Sequence, residues 1–373
     1  MKHRIWITTL LVLVALLALP AQAGAQPRQR CFPETGHCVA GELLAYWERN
    51  GGLAVFGYPI SDELPNELVE GTWVGRTQWF ERDRLELHTL EGVLAGRMGA
   101  RALELQGRSW YEFPPFAGGL PSGCAYFDQT RHSVCEPFLS YWQRNGGLER
   151  FGYPLSEPMT ETIGGWTGTV QYFERRRMEH HTELRGTRYE VLLGLLGNDI
   201  YAAAPPQLCT TPIAASLQAT LAQQAGLAEN LGCQTLAVGN APAAFQPYDN
   251  GSMLWVDQGT AGKRIYRIFN SMYAPGHPLT YQIHEDTWTS ADPADYGLTP
   301  PAGHVAPLRG FGKLWISNKF VRQDMGWPTA AEQPASATVL QFSGGAVALW
   351  QQGTSTVYVL WPRDMHVQPL AYR

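Results

Sequence analysis

The feature that most constrains the fold is an internal repeat. Residues 46–61 read YWERNGGLAVFGYPIS and residues 141–156 read YWQRNGGLERFGYPLS, with twelve of sixteen positions identical at a spacing of 95 residues. The similarity resumes downstream, where TQWFERDRLELH at 77–88 aligns with VQYFERRRMEHH at 170–181. Such self-similarity is typical of repeat architectures, in which no unit buries its apolar face alone. The sequence therefore predicts homologous units that pack against one another.

Weaker copies of the same pattern occupy the C-terminal half. The Phe-Gly-Tyr-Pro stretch at 56–59 has a counterpart in Met-Gly-Trp-Pro at 325–328 and a degraded one in Leu-Gly-Cys at 231–233. A segment with glutamine and aromatic residues follows each copy. Two of these segments carry strong turn signals, Asp-Asn-Gly at 249–251 and Ser-Gly-Gly at 343–345, which indicate β-hairpins. Helical patterns precede the glycine turns, at residues 41–49, 137–144, 213–225 and 310–318.

These patterns predict an α+β fold of tandem repeats. Each unit would combine a short helix with a β-hairpin or small antiparallel sheet, and disulfides would cross-link and stabilise the units. Linkers rich in proline and glycine supply the boundaries. The predicted parts are a signal peptide (1–25), unit 1 (26–108), unit 2 (109–204) and a C-terminal domain (205–373) made of unit 3 (about 205–289) and unit 4 (about 308–373).

The first residues are typical of an export signal. Lys2 and Arg4 precede an apolar stretch at 5–19, and Pro20 and several small residues follow it. The apolar stretch is shorter than the roughly 20 residues that span a bilayer. No later stretch is apolar and long enough to do so. We therefore expect a secreted or cell-surface protein without a transmembrane segment after signal removal.

The six cysteines of the chain lie beyond this signal. An even number of cysteines in an exported chain indicates disulfides. Shifting Cys124 and Cys135 back by the repeat spacing gives positions 29 and 40, whose index sum equals that of Cys31 and Cys38. Residues opposed in an antiparallel hairpin have a constant index sum. The pattern predicts Cys31–Cys38 and Cys124–Cys135, and by elimination Cys209–Cys233.

The glycine turn followed by a Gln-x-Phe hairpin resembles the LGFP repeat family, which occurs in exported bacterial proteins and often accompanies cell-wall enzymes. The resemblance extends from Cys31 to about Leu360, although unit 3 has Gln234 in place of the motif proline. It implies a non-catalytic surface module associated with the cell envelope or its polysaccharides. It implies no particular ligand residues.

The strongest enzyme hypothesis rests on two Glu-x-His pairs, Glu86 with His88 and Glu179 with His181. Residues two apart on a strand share a face, so each pair could supply an acid and a base. The pattern occurs in both homologous units, which favours a polar sheet face with a salt bridge or hydrogen bond. No nucleophile elbow, phosphate loop or complete zinc-protease motif occurs. We therefore expect no enzyme activity and no catalytic, cofactor-binding or metal-binding residue.

Four aromatic residues are candidate ligand contacts. Trp79 and Tyr172 each precede a phenylalanine of the hairpin; if those phenylalanines are core, the two rings point to the opposite sheet face. Trp73 and Trp166 lie in glycine-rich turns. Exposed Trp and Tyr rings stack on sugars through their apolar faces. Packing between units is the alternative for each of them.

The sequence thus favours a secreted, non-catalytic repeat protein that binds cell-wall or extracellular polysaccharide through aromatic surfaces. The alternatives are a structural or protein-interaction module, such as an adhesin or matrix component, and an enzyme inhibitor. Nucleic acid is not an expected partner at a net charge of −5, because phosphate neutralisation needs a basic excess.

Overall fold

The computed structural model describes residues 28–270 and 279–373. The predicted signal peptide lies outside the described residues. The described part is α+β, with short helices, small antiparallel sheets and one eight-stranded sheet. Three short 3-10 helices lie in its connections, at Trp110–Glu112, Thr182–Leu184 and Gly259–Ala261.

Units 1 and 2 share one order of elements, as their sequence similarity predicts. A disulfide-bonded hairpin is followed by two short helices, a four-stranded meander and a closing helix. Unit 1 contains β1 (Gln29–Phe32), β2 (His37–Ala40), α1 (Gly41–Arg49), α2 (Gly52–Phe56), β3 (Leu64–Val69), β4 (Trp73–Trp79), β5 (Arg84–His88), β6 (Gly92–Ala95) and α3 (Met98–Leu105). Unit 2 contains β7 (Cys124–Phe127), β8 (His132–Cys135), α4 (Phe138–Arg144), α5 (Gly147–Phe151), β9 (Met159–Ile163), β10 (Trp166–Tyr172), β11 (Arg177–His180), β12 (Val191–Leu193) and α6 (Leu196–Ala203).

Units 3 and 4 keep the helix pair and the meander, and within the residues that the structure describes they have no cysteine hairpin. Unit 3 contains β13 (Gln207–Leu208), α7 (Ala215–Leu221), α8 (Leu227–Leu231), β14 (Gln234–Tyr248), β15 (Gly251–Asp257), β16 (Lys263–Asn270) and β17 (Leu279–Glu285). Unit 4 contains α9 (Arg309–Ser317), α10 (Lys319–Met325), β18 (Gln333–Phe342), β19 (Val347–Gln351), β20 (Thr356–Leu360) and β21 (Val367–Ala371).

The two meanders of the C-terminal half join into one sheet through β14 and β18. The strand order is β17-β16-β15-β14-β18-β19-β20-β21, and every pair is antiparallel. The edge strands approach each other where Thr280 pairs with His366, so the sheet curls almost into a closed cylinder. In the N-terminal half the meanders stay separate, and β13 adds to β3 as a fifth strand of the unit 1 sheet.

In units 1 and 2 the helix pairs α1–α2 and α4–α5 pack on the sheet of their own unit, whereas the closing helices α3 and α6 pack against the other unit. Leu43, Leu44 and Trp47 of α1 lie in one core with Phe80 and Leu85 of the same unit, and this core continues into unit 2. The centre of the junction is an ion pair between Asp83 and Arg176, with 2.5 Å between carboxylate Oδ2 and guanidinium Nη2. Both side chains are buried. Burial raises the pKa of Asp83 to about 6, against the opposing effect of Arg176.

Units 3 and 4 exchange their helices. Leu217 and Leu231 of the unit 3 helices pack on Leu340 and the other buried residues of the unit 4 sheet. Reciprocally, Trp315 and Met325 of the unit 4 helices pack on the unit 3 sheet. The C-terminal half is therefore an interlocked pair, whose units each cover the sheet of the other.

The glycine of the repeated motif has the same structural role in all four units. Its φ is positive, and a Cβ would lie 2.3–2.4 Å from a polar side chain at the tip of a hairpin. That side chain accepts a hydrogen bond from the backbone N–H of the next residue. The acceptors are Glu81 for Tyr58, Glu174 for Tyr153, Ser343 for Cys233 and Asp249 for Trp327.

The cysteines pair as predicted, Cys31–Cys38, Cys124–Cys135 and Cys209–Cys233. The first two pairs are directly opposed in their hairpins, as the index-sum argument requires. The third pair joins the end of β13 to the motif of unit 3. Because β13 pairs with β3, this bridge also links the two halves of the molecule.

Candidate functional site

Two of the four aromatic candidates are not accessible to a ligand. Trp79 and Tyr172 point away from Phe80 and Phe173, as strand alternation predicts, but their exposures are 1% and 0%. The expectation that they face outward is wrong because α3 and α6 cover the second face of both sheets. Their polar atoms bind inside this layer, the Trp79 indole to Glu67 and the Tyr172 hydroxyl to Glu161.

Trp73 and Trp166 are held flat against their own sheets. Each indole stacks on a histidine at the end of the neighbouring strand, Trp73 on His88 in β5 and Trp166 on His181 directly after β11, with ring centroids 4.1 and 4.2 Å apart. A Cβ at Gly75 would lie 2.0 Å from the Trp73 ring, so the glycine makes room for this arrangement. One face of each indole is therefore occupied by a side chain of the protein.

The Glu-x-His pairs form equivalent chains of charged groups in the two units. Glu86 accepts hydrogen bonds from Arg84, with 2.6 Å to Nη2, and contacts His88 at 3.1 Å. Glu179 contacts Arg177 at 2.7 Å and His181 at 3.4 Å. These contacts agree with the polar sheet face that the repetition favours. The Arg84 guanidinium and His88 lower the pKa of Glu86 despite its burial.

A cleft of about 710 Å³ lies in the C-terminal half, where the start of α9 meets the unit 3 sheet. Two half-buried indoles, those of Trp255 on β15 and Trp288 after β17, line it. The remaining wall combines apolar residues with four charged groups, Lys263, Asp286, Arg309 and Glu332. A cavity that combines apolar surface with a few placed polar groups is the usual form of a small-molecule site.

Asp286 holds the Trp255 indole and the backbone of Trp288, whose own indole N–H donates to the Pro293 carbonyl. Its Oδ2 accepts a hydrogen bond from the Trp255 indole at 2.7 Å, and its Oδ1 accepts one from the backbone N–H of Trp288 at 3.0 Å. The carboxylate lies against Gly310 in the first turn of α9, where a Cβ would be 2.6 Å from Oδ1. A helix N-terminus favours a negative charge at this place.

Charged side chains surround the two indoles. Arg309 and Glu332 form an ion pair of 3.4 Å, and Lys263 lies over the Trp255 ring at 5.8 Å. Burial raises the pKa of Glu332, with a further contribution from Asp286 and an opposing one from Arg309. The cleft thus offers hydrogen-bond donors and acceptors beside flat apolar rings.

The sequence did not predict that Trp255 or Trp288 contributes to a ligand site. The two residues are 33 positions apart, and the exchange of helices brings the start of α9 next to both. One local signal existed, since the Asp-Thr-Trp stretch at 286–288 can form a turn in which the aspartate accepts from the second following N–H. The start of α9, which completes the cleft, is distant in sequence, and no local pattern predicts that it lies next to the two indoles.

Comparison of the chain with protein-family models, with curated proteins and with solved structures found no match. The resemblance to LGFP repeats therefore stays a prediction. Within residues 28–270 and 279–373, no group of three His, Cys, Asp or Glu side chains is placed to hold a metal ion. In the same ranges no helix is long and apolar enough to cross a membrane. The three disulfides indicate an oxidising, extracytoplasmic environment.

Proposed function

We propose that the protein is a secreted or cell-surface, non-catalytic repeat protein that binds cell-wall or extracellular polysaccharide. The observation that carries this proposal is the pair of half-buried indoles, Trp255 and Trp288, in one cleft where Asp286 binds the Trp255 indole and the Trp288 backbone. The site differs from the four residues expected from sequence, because Trp79 and Tyr172 are buried and a histidine occupies one ring face of both Trp73 and Trp166.

The chemistry of the cleft suits a sugar ring. The apolar face of a pyranose packs on an indole, while its hydroxyls need both donors and acceptors at the ring edge. Arg309 and Lys263 supply donors, and Glu332 supplies an acceptor. The two acidic and two basic groups of the wall balance, which favours a neutral saccharide over a strongly charged one.

The alternative is a structural or protein-interaction module. It is supported by the burial of Trp79 and Tyr172, because these aromatic residues pack between the units rather than on a surface. Both functions are compatible with an extracytoplasmic repeat protein, and they differ in whether the Trp255 cleft is needed for binding.

The test is a binding assay with isolated cell wall and with insoluble neutral polysaccharides. Trp288→Ala removes one ring of the cleft, and we expect the apparent Kd to rise by about tenfold, equivalent to about 1.4 kcal/mol. Trp255→Ala is the second variant, with its fold checked by circular dichroism because Trp255 also packs against the core.

Trp350→Ala is the matched control. Trp350 is half-buried and stacks on Tyr372 at 3.8 Å, outside the cleft. The proposal requires this variant to bind like the wild type. If all three variants bind like the wild type, the polysaccharide binds outside the cleft. If the wild type itself binds no polysaccharide, the structural or protein-interaction function remains.

A further inference from the structure

The unit 2 sheet has an open edge where the homologous edge of unit 1 is covered. In unit 1, β13 pairs antiparallel with β3, with Gln207 opposite Leu68 and Leu208 opposite Glu67. In unit 2 the corresponding strand is β9, and within the described residues no strand pairs with its outer side. Unpaired edges of this kind are templates for an added strand.

The backbone groups that β9 offers can be identified by homology. The N–H of Cys209 donates to the carbonyl of Asn66 at 2.9 Å, so Asn66 faces outward, as does Leu68 two residues later. The equivalent residues of β9 are Thr160 and Thr162, which are both exposed. The β9 segment, Met-Thr-Glu-Thr-Ile, contains none of the lysine or proline residues that commonly protect an edge.

A groove of about 520 Å³ runs beside this edge, between β9, α3 and α6. Its apolar walls include Leu105, Ile163, Leu196 and Ile200. Its charged groups pair within the chain, since Arg108 contacts Glu161 at 2.5 Å and Arg177 contacts Glu179 at 2.7 Å.

The homologous place in unit 1 is filled by larger side chains. Trp79 and Tyr201 pack edge to face there, with ring centroids 5.4 Å apart. The equivalent positions in unit 2 hold Tyr172 and Leu103, which are both smaller. Three residues that line the groove, Arg108, Glu161 and Arg177, contact the Tyr172 side chain.

We propose that β9 binds an extended polypeptide segment of a partner protein as an additional antiparallel strand. The outward N–H and C=O groups of Thr160 and Thr162 pair with its backbone. A large apolar side chain opposite Glu161 enters the groove, at the position that Leu208 has opposite Glu67 in unit 1. Main-chain hydrogen bonds with an adjoining side-chain pocket are the usual elements of recognition by strand addition.

The probe is a peptide with the sequence of residues 203–210 and serine in place of Cys209, because this segment already adds to the homologous edge. We expect its titration into the full chain to shift the backbone amide resonances of Thr160 and Thr162. Replacing the leucine of the peptide by aspartate should weaken binding at least fivefold, because a carboxylate cannot enter the apolar groove without a partner.

Two variants of the protein separate strand addition from other binding. Thr162→Pro removes an outward N–H and should abolish the shifts, whereas Thr162→Val keeps the backbone and should preserve them. Proline is tolerated on an edge strand when its N–H faces outward, and circular dichroism verifies the fold.

Absence of shifts at β9 up to the solubility limit of the peptide would overturn the proposal. So would shifts that persist in Thr162→Pro. A wild type that dimerises in analytical ultracentrifugation, with Thr162→Pro monomeric, would assign the edge to a second copy and equally overturn it. None of these outcomes depends on the Trp255 cleft, so the polysaccharide proposal is tested separately.

Discussion

The two halves of the molecule pair their repeat units by different means. In units 1 and 2 the helix pairs α1–α2 and α4–α5 stay on the sheet of their own unit, only the closing helices α3 and α6 reach across, and the units meet through the buried Asp83–Arg176 pair. Units 3 and 4 exchange their helices and fuse their sheets through β14 and β18. The helix pair that carries the motif therefore covers either the sheet of its own unit or the sheet of the neighbouring unit.

The difference shows what the repeated motif specifies. In every unit the residue after the motif glycine donates its N–H to a polar side chain at a hairpin tip. In units 1 and 2 this tip belongs to the same unit, and in units 3 and 4 it belongs to the other unit. The motif thus fixes the contact between helix pair and hairpin but leaves open which hairpin is used.

The junction of units 1 and 2 also requires the two copies to differ. Asp83 and Arg176 occupy aligned positions of the repeat, so two identical units would bring like charges together in the core. The Arg176 guanidinium lies over Phe56 and Phe151, which are equivalent residues, at 5.2 and 5.9 Å. Opposite charges at one repeat position therefore select the pairing of unit 1 with unit 2.

The largest effect is expected from Asp83→Asn. The variant leaves the Arg176 charge unpaired in the core, and its free energy of unfolding should fall by about 3–5 kcal/mol. The comparison variant in the C-terminal half is Asp324→Asn. Asp324 contacts the buried Arg267 at 3.1 Å but is 32% exposed, and Arg267 also binds Gln282, so we expect a loss of about 1 kcal/mol. Urea denaturation followed by tryptophan fluorescence measures both.

The exchanged pair of charges is the control for this prediction. Arg176→Asp alone places two carboxylates at the junction and should be at least as damaging as Asp83→Asn. The double variant Asp83→Arg with Arg176→Asp should recover much of the loss. Equal losses for Asp83→Asn and Asp324→Asn would refute the view that the ion pair distinguishes the two junctions.

The second prediction concerns the bridge that links the halves. Replacing Cys209 and Cys233 by serine opens a loop of 24 residues and should cost about 3 kcal/mol, against about 2 kcal/mol for the seven-residue loop of Cys31–Cys38. Loss of the Cys209–Cys233 bridge should also release β13 from β3. Amide hydrogen exchange in that variant should therefore accelerate more at residue 209 than elsewhere in unit 3. A larger loss for the Cys31–Cys38 pair would contradict this ranking.

The third prediction tests the exchange of helices directly. Glu81→Ala removes the acceptor for Tyr58 in its own unit, whereas Asp249→Ala removes the acceptor for Trp327 in the neighbouring unit. Each loss should reduce local stability by about 1 kcal/mol. Hydrogen exchange should therefore accelerate at Tyr58 in the first variant and at Trp327 in the second. Acceleration at Cys233 after Asp249→Ala would mean that the unit 3 hairpin holds its own motif.

Local elements of the fold were well predicted from the sequence. The helix pattern at 41–49 coincides with α1, and the helix predicted at 310–318 is displaced from α9 by one residue. The turn at Asp249-Asn250 and the disulfide registers were also confirmed. These features depend on neighbours within a few residues, where glycine, cysteine and apolar spacing carry the information.

Long-range covering entered the sequence interpretation only as an alternative, the packing of aromatic residues between units, and its positions were not predicted. The helices α3 and α6 bury the sheet faces of Trp79 and Tyr172, yet their contacts come from the neighbouring unit. Gly99 of α3 in unit 1 lies against the carbonyl of Phe173 in unit 2. The equivalent Gly197 of α6 in unit 2 lies against the carbonyl of Phe80 in unit 1. Alternation along a strand tells which residues share a face, but it cannot tell whether a distant helix covers that face. The Trp255 cleft was missed for the same reason.

The smallest effect is expected from the hairpin tip at Asp249, which contacts a histidine. His304 Nε2 lies 2.7 Å from Asp249 Oδ1, which raises the pKa of His304 and lowers that of Asp249. The raised His304 pKa contributes stability that is lost as the pH rises through it, and the lowered Asp249 pKa contributes stability that is lost as the pH falls through it.

The contact should therefore stabilise the fold most between about pH 4 and pH 6.5, the ordinary pKa values of the two groups. Asp249→Asn should lower the pKa of His304 in an NMR titration and flatten the stability profile above pH 6.5. In the N-terminal half Glu81 contacts Arg82 at 3.7 Å instead of a histidine. Glu81→Gln should therefore leave the profile above pH 6.5 as in the wild type, and a change there would show that the two tips do not differ in this way.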